Sequence, residues 1–391
     1  MPRAVLQVEN LESRTVPAYL APAQVRHAYG FDQIQFSSSG KNVAGDGSGQ
    51  IIAVITAFDD PNITSDLDTF DSAFSINGTQ SLLQQYGTAA RDLIKVPMRT
   101  GEATIGAWAR ETALDVEWAH AMAPGARILL VEARSDTFGD ILDAVDYARK
   151  YPGVVAISMS FGAAEFPLET AAAYDGHFTT PAGHLGGASY RGGTLLPGGI
   201  TFVASTGDLA GKTEWPSVSP TVLSVGGTSL ALDSNGNWQK ETAWSKGGGG
   251  ISAYESKPTY QNGFLSGALR GTPDVAYQAD PSVGYAFYSS VPDNGQSGWQ
   301  AIGGTSAGAP QWAALVAIAD QGRAIQGFGS LDGFSQTLPA LYELASQSYV
   351  TYFHDITSGS NGNPAKTGYD LATGLGTPKA ASLVTGLVGY H

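Results

Sequence analysis

The sequence predicts an α/β protein built on a parallel sheet with helices on both faces. Three observations predict it: short apolar runs rich in β-branched residues recur along the chain, helical patterns separate them, and no internal repeat breaks the alternation. Residues 51–56 (IIAVIT) form a short buried strand by length and β-branching. In the following DDPNITSDLDTFDSAF, Pro61 and Thr64 or Ser65 signal a helix start. Residues 108–123 are helical in pattern, 127–132 (RILLVE) a strand, 139–150 a helix, and Val154–Met159 and 200–204 (ITFVA) two more strands. Residues 222–225 add another. Strands alternating with helices imply βαβ units and a sheet covered on both sides. Residues 1–18 read as a polar lead-in, and no linker divides 19–391, which is expected to fold as one domain.

Composition narrows the functions. Hydrophobic residues make up 42% of the 391 residues and aromatics 10%, ample for a large core and unlike a disordered chain. Charged residues are only 14%, against roughly 25% in ordinary soluble domains. There are 21 Lys plus Arg and 35 Asp plus Glu, a net charge of -14, which repels phosphate backbones and argues against nucleic acid as a partner. Acid surroundings would protonate carboxylates and relieve that self-repulsion. Cysteine is absent, so disulfides, thiolate metal sites and a cysteine nucleophile are excluded. No apolar run has bilayer-spanning length; residues 313–319 are too few. The stretch MPRAVLQVENLESRTVPAYLAP has no signal-peptide-like apolar core, although LESRTVPA looks like a short segment that precedes exported proteins in some bacteria.

The clearest chemical signal is Gly303-Gly304-Thr305-Ser306-Ala307-Gly308-Ala309-Pro310, running into the helical pattern QWAALVAIA. A serine at a helix start faces unpaired N–H groups and the positive end of the helix dipole, which favour negative charge developing on a carbonyl oxygen. Pro310 falls in the first turn, where its missing N–H costs little. A plain serine N-cap is the bland alternative. Gly-Thr-Ser-Ala with a proline four residues after the serine is more restrictive and matches the nucleophile motif of subtilisin-like peptidases. Those enzymes pair the serine with a histidine and an aspartate. Here His27, His120, His177, His184, His354 and His391 all lack the His-Gly-Thr context, and the strand 51–56 ends without an aspartate. A Ser-His-Asp triad is disfavoured.

Carboxylates offer a replacement. Glu111 and Asp115 are four apart in ETALDVEWAHAMAPGA, so both project from one helical face. Brought together in a cleft, two carboxyls share a proton and their titrations separate. A solvated acidic face is the alternative, but Leu114, Val116 and Trp118 surround the pair with apolar bulk.

With Glu111-x-x-x-Asp115, Ser205-Thr206-Gly207-Asp208 and Gly304-Thr305-Ser306-Ala307 in that order, the sequence resembles the sedolisins, serine-carboxyl peptidases with a subtilisin-like fold. The resemblance runs from Tyr19 nearly to the C-terminus, so 19–391 would be the peptidase catalytic domain. It implies that Ser306 attacks the scissile carbonyl and that Glu111 is general base and then acid, held by Asp115. Asp208 would form the oxyanion hole with the Ser306 N–H. Only a protonated carboxyl can donate a hydrogen bond, and free Asp and Glu titrate near about 3.9 and about 4.3, so such a site works in acid. An Asx-turn after a strand is the structural alternative for Asp208.

Near the C-terminus, Asp355 and Asp370 bracket a glycine-rich loop. Spacing alone leaves a turn-rich loop equally open. The resemblance implies one structural Ca2+ held by the Asp355 and Asp370 side chains and the backbone carbonyls of Ile356, Lys366 and Gly368, oxygen ligands that suit a hard cation. His354 is expected to be a packed core residue.

The chain also departs from the family. Residues 1–18 hold no pro-domain, and relatives carry an acid where Thr56 stands and a tryptophan where Phe161 stands. The resulting expectation is a secreted, monomeric acid endopeptidase acting on proteins or peptides. Two alternatives stay open: a catalytically silent peptide-binding relative, and a neutral-pH peptidase using His120 or His184.

Overall fold

The computed structural model describes residues 7–8, 19–189 and 192–391. An eight-stranded sheet forms the centre, in the order Trp238–Ala243, Val222–Leu232, Thr201–Ser205, Val154–Met159, Ile51–Ala57, Arg127–Ala133 and Leu93–Pro97, with Val275–Gln278 also paired to Val222–Leu232. All pairings are parallel except that of Val222–Leu232 with Trp238–Ala243.

The period-two alternation of side chains along a strand divides the core in two. Ile52, Val54, Ile128 and Leu130 pack with the helices Gly106–Met122 and Gly308–Ile325. Ile51, Ala53, Ile55, Leu129 and Val131 face the other way, against Ile141, Leu142 and Val145 of the helix Phe138–Lys150. A strand covered on both faces must be apolar throughout, and Ile51–Ala57 is buried at every position.

The expected elements are present with shifted ends. The helix 108–123 runs Gly106–Met122, the helix 139–150 runs Phe138–Lys150 with Thr137 as its N-cap, and 200–204 becomes Thr201–Ser205. The strand read as 222–225 extends to Leu232, because Gly226 and Gly227 continue the ladder against Ala276 and Tyr277 instead of ending it.

The lead-in contributes one short piece of structure. Gln7–Val8 pairs antiparallel with Phe161–Gly162, on the strand Phe161–Ala164, whose other edge carries Glu214–Trp215. The remainder of residues 1–18 lies outside the described residues.

Candidate active site

Three segments meet at the turn Thr305–Ala307, a 3-10 turn that leads into the helix Gly308–Ile325. Pro310 sits in the first turn of that helix, as its chemistry requires. Every residue from Gly308 to Ala324 is buried, so the turn leads into a helix packed on all sides. Gly303 permits the close approach: a Cβ there would lie 2.5 Å from the Ala279 carbonyl oxygen.

The second segment is the helix Gly106–Met122, which packs against this turn. Glu111 and Asp115 are both fully buried, which rules out a solvated acidic face. Three contacts hold the helix to the hairpin of Tyr285–Asp293 and Gln296–Ile302: Arg110 Nη1 to Asp293 Oδ2 at 2.6 Å, the Tyr288 N–H to Glu117 Oε2 at 3.0 Å, and the Trp118 indole N–H to the Ala286 carbonyl at 2.9 Å. Ser160 joins helix to turn. Its hydroxyl oxygen is 2.8 Å from Asp115 Oδ1 and 3.2 Å from the Ser306 carbonyl oxygen.

Asp208 comes from the third segment, the loop after Thr201–Ser205. Its Oδ1 accepts the Thr305 backbone N–H at 2.8 Å and the Thr305 hydroxyl at 3.1 Å. Gly207 lies just before it at φ +89, where a side chain would strain the backbone and collide with the Glu214 carboxylate. Ser306, Asp208 and Asp115 are thus brought to one turn, and Glu111 lies one helical turn from Asp115.

The histidines go elsewhere. His120 Nε2 lies 3.2 Å from Asp71 Oδ2, and His184 Nε2 lies 2.7 Å from the Val154 carbonyl oxygen. Thr56 and Phe161 are buried, and the Thr56 hydroxyl has no hydrogen-bond partner among the described residues. Two contributors escaped the sequence: the Ser160 tie, and the Thr305 hold on Asp208. Only the placement of both residues at strand or turn ends hinted at them.

At the C-terminal loop, Asp370 Oδ1 accepts the Ala372 and Thr373 N–H groups at 2.8 Å each, and its Oδ2 the Lys366 N–H at 2.9 Å. Asp355 accepts the Gly368 N–H at 3.1 Å. Burial raises the pKa of both carboxyls. No group of three or more His, Cys, Asp or Glu gathers to hold a metal among the described residues, so a cation here would rest on two carboxylates and backbone oxygens. His354, expected in the core, is half-buried and stacks on Trp238 with ring centroids 4.1 Å apart. Burial, and then the Lys379 charge, push its pKa down to about 3.

Known proteins share this chain's sequence and fold. The subtilase family matches residues 102–330. Kumamolisin of Bacillus sp. (strain MN-32) is 34% identical over 312 residues, 71% of this chain and 50% of that protein. Sedolisin of Pseudomonas sp. (strain 101) is 34% identical over 222 residues, 49% of this chain and 35% of that protein. This chain therefore spans half or less of the length of these two relatives. Pseudomonas sedolisin, a serine-carboxyl proteinase solved with two molecules of pseudo-iodotyrostatin, superposes with a TM-score of 0.73 at 25% identity, covering 95% of this chain and 98% of that one. No helix among the described residues is long and apolar enough to cross a membrane. On the family match, the shared sheet and the order of its motifs, the chain belongs to the subtilase family and, within it, to the sedolisins.

Proposed function

We propose that the chain is a serine-carboxyl endopeptidase hydrolysing peptide bonds of proteins and peptides in acid. The observation that carries this reading is the gathering of carboxyls on two sides of one serine turn: Asp208 bound to Thr305, and Asp115 tied through Ser160 to Ser306.

In this mechanism Ser306 Oγ attacks the scissile carbonyl carbon while Glu111 removes its proton. Asp115 orients Glu111 and shares its proton load, so one carboxyl of the pair is ionised when the other is neutral. Asp208 in its protonated form donates to the oxyanion together with the Ser306 backbone N–H, at the start of a helix whose dipole adds in the same sense. Glu111 then returns the proton to the leaving amine, and water repeats the sequence on the acyl-enzyme. Substrate would lie extended between 160–162 and the glycines at 247–250, adding a strand at the edge of Phe161–Ala164 that Gln7–Val8 occupies. That the chain's own Gln7–Val8 pairs with this edge supports its capacity to take one.

One Ca2+ would be held by Asp355 and Asp370 with the carbonyls of Ile356, Lys366 and Gly368, neutralising two carboxylates that burial disfavours. Its contribution would be to stability, and EDTA is expected to lower Tm reversibly. We place the work of the enzyme outside the cell, as a monomer, where acid conditions keep Asp208 protonated.

Casein digestion across pH with the wild type, Ser306→Ala, Glu111→Ala and Asp208→Asn tests the reading. An acid optimum abolished by the first two is expected. No activity at any pH would favour a silent binding relative. A neutral optimum surviving Glu111→Ala would favour a histidine enzyme.

A further inference from the structure

Ser160 stands between the strands Val154–Met159 and Phe161–Ala164, is 1% exposed, and touches two parts of the site at once. Its hydroxyl has one proton to give and two acceptors within reach: Asp115 Oδ1 at 2.8 Å and the Ser306 carbonyl oxygen at 3.2 Å. It cannot satisfy both fully. With Asp115 and Ser306 also buried, water is a poor substitute for either bond.

We propose that Ser160 is a positioning residue that couples the protonation of Asp115 to the peptide group of the nucleophile. When Asp115 is ionised, the charge-assisted bond is the stronger one, so the Ser160 proton points to Asp115 and the Ser306 carbonyl is held weakly. When Asp115 carries a proton, that proton is donated to the Ser160 oxygen, and the Ser160 O–H turns to the Ser306 carbonyl. No bond between heavy atoms breaks; one hydroxyl rotates, and one proton passes between the Glu111 and Asp115 carboxyls, one O–H bond forming as the other breaks. Proton uptake by the carboxyl pair, which accompanies attack by Ser306, would thereby tighten the backbone that carries the nucleophile as the oxyanion forms. The other titratable groups about the turn are Glu111 on the same helix and Asp208 across it, while Arg110 is engaged by Asp293.

This inference rests on the peptidase reading, and its test separates the two. Ser160→Ala and Ser160→Thr would be assayed for kcat and KM across acid pH, and the Asp115 carboxyl followed by 13C NMR titration, with Asp115→Asn for assignment. Removing a donor to the ionised form raises its pKa. Ser160→Ala should therefore lower kcat about 10- to 100-fold with KM nearly unchanged, and shift the acid limb and the Asp115 titration up by about one pH unit. Ser160→Thr, which keeps the hydroxyl, should restore both. An Asp115 titration identical in wild type and Ser160→Ala overturns the coupling, as does equal impairment in the Ala and Thr variants. A wild type without peptidase activity sinks the peptidase reading instead, and the NMR titration still decides the role of Ser160.

Discussion

The two halves of the helix Gly106–Met122 bury the same kinds of residue and put them to different use. Toward its start, Asp115 reaches the Ser306 turn through Ser160, with Glu111 buried one helical turn away. Toward its end, Glu117 and His120 face the hairpin and the helix Ile63–Ala73, where the Tyr288 N–H and Asp71 meet them. Burial is complete or nearly so in both halves. The difference lies in what each group touches. Asp115 of the first pair reaches Ser160 and, through it, the Ser306 carbonyl; Glu117 and His120 are met by the Tyr288 N–H and by Asp71. Buried charge is therefore not evidence of catalysis until its neighbours are known.

Exchanging single residues between these roles should break the comparison. The largest effect is expected for Glu111→Gln, which cannot accept the Ser306 proton: kcat should fall at least about 1000-fold, with a thermal melt close to wild type. A melt lowered as much as activity would remove the distinction between the halves.

His120→Ala should do the reverse, destabilising by about 3–5 kcal/mol by leaving Asp71 buried without its partner, while activity per folded molecule at low temperature is kept. Burial alone would lower the His120 pKa, but the Asp71 carboxylate 3.2 Å away, with Asp92, raises it overall. A histidine raised on folding contributes stability fully below its unfolded pKa and loses it as pH rises through the folded value. The gap between variant and wild type in urea unfolding should therefore narrow from acid to alkaline pH.

Glu117→Gln sharpens the contrast with a smaller change. Burial raises the Glu117 pKa well above its ordinary value, with Asp71, Asp66 and Asp60 adding to it and the Tyr288 N–H opposing. A carboxyl raised on folding favours the native state only while protonated, so wild-type stability should decline as pH climbs above about 4.3. The amide keeps an acceptor for Tyr288 and should flatten that decline, matching wild type in acid and exceeding it by about 1–2 kcal/mol near neutrality. A variant equally pH-dependent in denaturant titrations would place the decline on other groups.

The smallest effect concerns the edge beside the site. Deleting residues 1–18 removes Gln7–Val8 from Phe161–Gly162, and KM for a peptide substrate should fall about two- to fivefold, under about 1 kcal/mol. An unchanged KM would mean that substrate does not use this edge.

Much of this was legible in the sequence. Buried strands announce themselves as β-branched runs because both faces are covered, and Gly303 to Pro310 identifies the serine turn because few residues fit so tight an approach. The Glu111–Asp115 pair follows from helical spacing. What stayed hidden depends on distant contacts. Nothing local distinguishes Ser160 from any serine at a strand end; its role arises from a helix 45 residues earlier and a turn 146 residues later. The strand Val222–Leu232 runs well past Val225: Gly226 and Gly227, residues that normally weaken a strand, stay in the ladder, with Pro273 so near Gly226 that a Cβ would sit 2.6 Å from its ring.

The helix that begins just beyond Ser306 is enclosed along nearly its entire length, with small residues such as Ala309, Ala313 and Ala317 letting neighbours come close. A serine mounted on such a post cannot loosen piecemeal. Heating should leave the enzyme fully competent until the molecule gives way as a whole, so that the curve of lost activity and the curve of lost structure coincide.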